Sequence, residues 1–342
     1  MTRNLAILLF LFACLLALII VTTGLGYIRI PVGQVVEIVF AQLIGAPVPA
    51  GLDDRFAVVI TDIRLPRILT AALVGGGLAV AGGVFQALLL NPLADPYTLG
   101  VSSGAAFGAS LAIILSLFGI ALPVVWTVPV FAFAGAMATL VAVFGLSSPD
   151  SRFSSNTLIL AGVIVAAILS AGIGFIKYMA DEEVGIIIFW LMGSLVGKSW
   201  EEVLLVLLIS LPCLLTILYF ARDLNIMALG EKTADSLGVE SLRTRKLLLT
   251  AATLITAGCV AVSGIIGFIG LIVPHLLRLL VGADNRMLLP ACFLAGAILL
   301  LVADSVTRAF LPHEIPIGIL TALIGGPFFC YIFRKRQLGR GR

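Results

Sequence analysis

Apolar residues run along the chain in long blocks separated by short polar or Pro/Gly-rich punctuation. The blocks fall at residues 5–26, 68–90, 99–118, 124–146, 157–178, 203–220, 247–266, 270–281, 288–306 and 317–333. About 20 consecutive apolar residues span the bilayer core as a helix. The pattern therefore predicts an all-α polytopic membrane protein with about ten transmembrane helices. The first block follows Arg3 as a signal peptide would, but its apolar run exceeds the ~7–15 residues of such a core and no Ala-x-Ala site follows. It is expected to remain as a helix.

Composition agrees with that pattern and removes competing classes. Hydrophobic types make up 61% of the 342 residues and the 35 glycines add about a tenth more, where a soluble domain sits near ~45–50% on the combined count. Charged residues are 11% against an ordinary ~25%, and mean hydropathy is +1.20. A soluble enzyme, a disordered chain and a DNA-binding module are excluded, and the net charge of +3 is too small to suggest nucleic acid as a partner. The expected organisation is one transmembrane domain over residues 1–342, with a single sizeable polar connector at about residues 222–246.

Charge distribution orients the bundle. Ten crossings put both termini on one side, and if that side is cytoplasmic it carries 14 of the 21 Lys and Arg residues, as the positive-inside bias requires. An internal repeat fits the same topology. Leu69-Thr70-Ala71-Ala72 returns as Leu249-Thr250-Ala251-Ala252, Ala79-Val80-Ala81-Gly82 as Ala261-Val262-Ser263-Gly264, and Pro92 as Pro274. The matched helices run in opposite directions, the inverted repeat of many transporters.

Candidate chemistry is sparse. The five cysteines are scattered through apolar runs with no Cys-x-x-Cys pair, as expected of small packing residues. Gly193-Ser194-Leu195-Val196-Gly197-Lys198-Ser199 imitates a P-loop but has three residues between its glycines instead of four. Any ATP dependence must come from a partner. Asp304 and His275 are the ionisable residues at membrane depth. Asp304 precedes Arg308 by four residues, the spacing of a local helical ion pair, and His275 follows Pro274 at an expected helix break. There is no metal-ligand cluster and no set of nucleophile, base and orienting group, so neither a cofactor nor a catalytic site is expected.

Two features point to assembly and passage. Small residues recur every four positions at Gly100, Gly104 and Gly108, and again at Gly162, Ala166, Ser170 and Gly174. Such stripes let helix backbones approach in lipid. The second opens with Ser154, Ser155, Asn156 and Thr157, so it is a candidate lining of a pathway as well as a packing face. Residues 228–238 suggest a short amphipathic helix bounded by Gly230 and Gly238, with Leu229, Ala234 and Leu237 as apolar contacts, suited to docking another protein.

Several motifs resemble one family across nearly the whole chain. They are Arg64-Leu65-Pro66-Arg67, Gln86 with Asn91-Pro92-Leu93-Ala94-Asp95-Pro96 and Leu99-Gly100-Val101-Ser102, Trp190-Leu191-Met192-Gly193-Ser194, Phe268-Ile269-Gly270-Leu271-Ile272-Val273-Pro274-His275, and Pro316-Ile317-Gly318. Together they are similar to the FecCD-type permeases, membrane subunits of ABC importers for iron siderophores, haem and cobalamin. The resemblance implies two permease subunits, identical or related, forming a pathway at their interface in the cytoplasmic (inner) membrane. It also implies an extracytoplasmic binding protein that delivers substrate and a cytoplasmic ATPase dimer.

Carried onto this sequence, the resemblance implies that Arg64, Arg67 and Arg308 face acidic lobes of the binding protein. It implies that Leu229, Gly230, Glu231, Ala234, Leu237 and Gly238 belong to a coupling helix seated on the ATPase. It also implies that Ser155 and Asn156, at the inner end of the fifth helix, stand at the cytoplasmic gate, at the foot of the Gly162, Ala166 and Ser170 face already read as a candidate pathway lining. The rival expectations are an ion-coupled secondary transporter with inverted repeats and an intramembrane enzyme. The scarcity of intramembrane carboxylates counts against the first, and the absence of a catalytic constellation against the second.

Overall fold

Gly75-Gly76-Gly77 and Gly82-Gly83 would each weaken a helix in water by about 1 kcal/mol per glycine. In lipid, where close packing holds helices together, the same residues let one helix be surrounded. That helix is α4 (Leu65–Leu88), buried along nearly its whole length. The computed structural model describes residues 2–26, 28–46, 53–120, 124–148, 150, 153–309 and 314–340. Arg152 and Arg342, counted among the Lys and Arg residues expected on the cytoplasmic side, lie outside the described residues.

The chain opens with α1 (Thr2–Gly24), α2 (Val32–Leu43) and α3 (Asp54–Val58), and a π-helical stretch, Val59–Arg64, leads into α4. A 3-10 turn, Pro96–Leu99, precedes α5 (Val101–Leu117), followed by α6 (Val124–Ser147), α7 (Ser155–Ala180), α8 (Val184–Leu191) and α9 (Trp200–Tyr219). Then come α10 (Ala221–Met227), α11 (Glu231–Ser236), α12 (Ser241–Ser263), α13 (Ile269–Val281), α14 (Asn285–Ala309) and α15 (Ile317–Arg340). No strand occurs among the described residues.

Each of the ten apolar blocks lies on a helix, but the helices are unequal. Among the described residues seven are long and apolar enough to cross a membrane, while Val101–Leu117, Ile269–Val281 and Ile317–Tyr331 are shorter. A fourth short apolar helix, α2, has no block behind it, because Gln34, Glu37 and Gln42 interrupt its apolar run. The helix break expected at Pro274 lies earlier. The chain leaves α12 at Gly264 (φ +68) and re-enters at Phe268 (φ +68), and Pro274 sits inside α13.

Among the described residues α14, α12, α13 and α9 pack most extensively on α4, and α1 and α10 touch it as well. A Cβ on Gly75 would run into the Gly296 carbonyl of α14, and one on Gly82 into the Gly270 carbonyl of α13. Gly77 meets Ile255 and Cys259 of α12. The repeat offsets of 180 to 182 carry residue 77 onto residues 257 to 259, beside those two contacts. The apolar core is continuous from Leu15 to Ile317, and Phe10, Ile168 and Leu208 face outward, as a lipid-facing surface demands.

Candidate functional site

α14 gives the bundle two distinguishable ends. Its first residue touches α10, where Asn225 Oδ1 accepts from the Asn285 backbone N–H (2.9 Å) and side-chain amide (2.8 Å). Its last turns meet the start of α4 through Asp304 and Arg67. The two ends carry different chemistry.

At the Arg67 end, three arginines tie helices together. Arg67 Nη2 lies 2.8 Å from Asp304 Oδ1, and its Nη1 lies 3.0 Å from Glu314 Oε2. Arg64 donates to the carbonyls of Thr23 (2.8 Å) and Ile28 (2.5 Å), and Arg308 donates to the Thr22 carbonyl (2.8 Å). The last carbonyls of a helix have no partner within it, and cations are favoured at that end of the macrodipole. Arg64 and Arg308 supply both to α1. The local pair expected between Asp304 and Arg308 is replaced, since Asp304 is held by Arg67.

The sequence groups Arg64, Arg67 and Arg308 at one end of the bundle, and the structure does bring them together there. It also turns them inward. Arg64 is 6% exposed and Arg67 8%, while Arg308 is half-buried. They form an internal clamp in this conformation, so recognition of an outside carboxylate requires exchange of an internal partner. Beside them opens a cavity of about 630 Å³ lined by Arg67, Trp190, Lys198, Glu202 and Asp304 among apolar side chains. Burial lowers the Lys198 ammonium from its ordinary range, and the charge of Glu202 opposes that shift.

The P-loop-like segment lies at this end as a connector between α8 and α9. Ser194 N–H donates to the Ser263 carbonyl (2.7 Å), and the Gly193 carbonyl accepts from Ile317 (3.1 Å). Ser199 caps α9 in a reciprocal pairing with Glu202. These backbone groups are engaged with α12 and α15.

At the opposite end, the connector of residues 222–246 is mostly helical, and the short helix is narrower than the sequence suggests. α11 spans Glu231–Ser236, with Leu229 before it and Leu237 at its C-cap. Gly230 (φ +106) and Gly238 (φ +86) hold conformations that favour glycine. Gly238 N–H donates to the Asp235 carbonyl (3.1 Å) and Val239 N–H to the Ala234 carbonyl (3.0 Å), the double closure of a Schellman motif. Ala234 and Val239 are buried together. Leu229 and Leu237 point away at 68% and 61% exposure, so two of the three expected apolar contacts face outward.

The entrance to α7 lies close by. Asp150 Oδ2 accepts from Ser154 N–H (2.9 Å) and Thr157 Oγ1 (3.0 Å), and Ser154 caps the helix. Ser155 is half-buried and Asn156 exposed. Further along, Gly162 is buried against Leu99 and Thr98, and Ala166 abuts Gly100, while Ser170 and Gly174 are exposed. The stripe thus divides into a packed lower half and an open upper half. The Gly104 and Gly108 stripe is packed, on Gly135 and Phe131 of α6.

Sequence reasoning missed Arg245 and Phe153. Arg245 is buried, pairs with Glu231 at 2.6 Å and donates to the Phe153 carbonyl at 2.8 Å. A signal existed in Arg243, Arg245 and Lys246. Cations near a helix start oppose its dipole and need acceptors from elsewhere.

Residues 14–335 match the FecCD transport family. The uncharacterized ABC transporter permease protein YvrB of Bacillus subtilis (strain 168) is 42% identical over 333 residues, 96% of this chain and 93% of that protein. The cobalamin import system permease protein BtuC of Halobacterium salinarum is 42% identical over 293 residues, 86% of this chain and 78% of that protein. A solved structure described as an inward-facing conformation of a metal-chelate type ABC transporter is similar with a TM-score of 0.83 at 37% identity. The match covers 96% of this chain and 99% of that one.

Proposed function

The chain belongs to the FecCD transport family, and from that membership we propose that it is the permease subunit of a binding-protein-dependent importer carrying a metal chelate into the cytoplasm. It is a multi-pass membrane protein of the ABC importer type. The chelate belongs to the iron-siderophore, haem or cobalamin class in this reading. The cobalamin permease among the relatives and the metal-chelate transporter among the structures support it.

The observation that carries the proposal is α11. A helix of six residues, closed at both ends by glycines and anchored by Ala234, presents Leu229 and Leu237 to the outside. An exposed apolar pair on a fixed polar end suits insertion into a partner's groove, and the partner we propose is a cytoplasmic ATPase dimer. The α11 end and both termini then lie in the cytoplasm of a cell whose inner membrane holds the bundle. A second permease subunit completes the pathway along the open half of α7, with Ser155 and Asn156 at its gate. At the Arg67 end, a receptor's carboxylates would dock by competing with Asp304 and Glu314 for the arginines.

Reconstitution into proteoliposomes tests this reading. ATPase and soluble receptor should co-purify with the permease, and uptake of a metal chelate should require both together with ATP. Uptake driven by an ion gradient without them would overturn it.

A further inference from the structure

Arg245 lies near the start of α12, where the dipole disfavours a cation, and it is 5% exposed. A buried guanidinium persists only when its donors are matched. Two of them reach elements far apart in sequence: Nη2 meets Glu231 Oε1 of α11 at 2.6 Å, and Nη1 meets the Phe153 carbonyl at 2.8 Å.

Phe153 turns the chain into α7. Its φ of +51 is one that a bulky residue holds only when its surroundings enforce it. The ring is fixed edge-on to Phe144 of α6, at 5.7 Å between centroids, and lies under the Lys246 ammonium at 4.2 Å. The next residue, Ser154, caps α7 and is bound to Asp150. Displacement of the Phe153 carbonyl would therefore be felt at once by Ser155 and Asn156.

A cavity of about 310 Å³, lined by Glu231, Asp235, Glu240, Arg243 and Arg245, lies between α11 and the start of α12, where the Asp235 carboxylate accepts from the Ser241 N–H (3.3 Å). The Arg245 guanidinium crosses beside that space as a rigid plane, one nitrogen on α11 and another on the turn before α7.

We propose that Arg245 is a positioning residue that couples α11 to the entrance of α7, so that the two shift as one body when a partner closes on α11. The proposal rests on the reading of α11 as the ATPase-docking helix. A planar two-armed donor is essential to it: Lys could hold the charge of Glu231 or the carbonyl of Phe153, but is a single compact head.

The test uses the full complex of permease, ATPase and receptor in proteoliposomes, with Arg245→Lys, Arg245→Gln and Glu231→Gln. Three quantities are read: ATPase retained on purification, substrate moved per ATP hydrolysed, and the separation of spin labels on Ser236 and Asn156, both exposed, before and after nucleotide trapping. The variants should retain the ATPase while transport per ATP falls about tenfold, a coupling loss of ordinary size. The label separation, constant through the cycle in the parent protein, should vary in the variants. A merely structural role would change yield and leave transport per ATP intact.

Unchanged coupling together with unchanged label separation overturns the proposal. Should Arg245→Gln fail to assemble, Arg245→Lys and Glu231→Gln decide on the same readouts. Leu237→Glu separates the two levels. If it keeps both ATPase and transport, the docking reading fails and this proposal with it. If it releases the ATPase while Arg245→Lys transports normally, the proposal alone fails.

Discussion

Arg67 and Asp304, 237 residues apart in sequence, close to 2.8 Å between Nη2 and Oδ1 with 1% of the aspartate side chain exposed. The pair fastens the first turn of α4 to the end of α14, and Glu314 takes a second donor from the same guanidinium. A buried pair of this kind costs little when both charges are present and much when one is orphaned.

Asp304→Leu and Arg67→Met should each destabilise the detergent-solubilised protein by about 3–5 kcal/mol. Arg67→Met combined with Asp304→Leu should cost less than the sum. Thermal inactivation rates of the four proteins measure this. Additive losses would mean that the two side chains act independently.

Receptor docking at this end should be sensitive to Arg308, the most accessible of the three arginines. Arg308→Ala should slow receptor association at low salt, as loss of a steering charge does, with ATPase assembly near normal. Arg64→Ala should in addition loosen α1, because two carbonyls near its end lose their donors. Association kinetics unchanged by Arg308→Ala at low salt would remove docking from the roles of this cluster.

Leu237→Glu places a charge on an apolar side chain that is 61% exposed, so it should leave the membrane fold intact. It should release the ATPase or disconnect hydrolysis from uptake. Co-purification and ATP turnover report the two cases, and normal transport would show that α11 docks nothing.

The two halves of the α7 stripe should respond differently. Gly162→Leu should abolish assembly, since a Cβ there already meets Leu99 Cα and the Thr98 carbonyl at 2.7 Å. Ser170→Trp, on the exposed half, should yield an assembled, receptor-binding protein that fails to transport. Size-exclusion profiles followed by uptake assays distinguish these. A Ser170→Trp protein that cannot assemble would assign the upper half to packing as well.

Glycine contacts offer a sharper contrast still. Gly82→Ala drives a methyl group into the Gly270 carbonyl and should cost about 1–3 kcal/mol. Gly174→Ala meets nothing within 4 Å and should be neutral or mildly stabilising. Equal thermal stability of the two variants would contradict the packing of α13 on α4.

Hydrophobic blocks locate helices well because lipid enforces a simple rule over some 20 residues. α2 escapes that rule through its three polar residues. The clustering of Arg64, Arg67 and Arg308 was legible because alternating crossings sort residues by side. Their inward orientation was not, because the acceptors are backbone carbonyls of α1 and an aspartate 237 residues away. Gly230 and Gly238 bracketed α11 correctly, yet the direction of Leu229 and Leu237 follows from the burial of Ala234 and Val239, which is tertiary. The Arg245 bridge joins three separated segments, and no local pattern encodes it.

The encirclement of α4 has a consequence for biogenesis. The helix is synthesised well before the helices that enclose it, since α9 begins at Trp200 and α14 at Asn285. The nascent chain must therefore hold a glycine-rich segment with Arg64 and Arg67 at its head, while the carboxylate that neutralises Arg67 has yet to leave the ribosome. Docking of the late helices closes long loops at once, the kind of step that makes assembly slow and exposed to error. A chain interrupted before Asp304 would leave Arg67 without either of its carboxylates at that end of the bundle. Charge compensation at Arg67 thus waits for nearly the last residues of the bundle to be made.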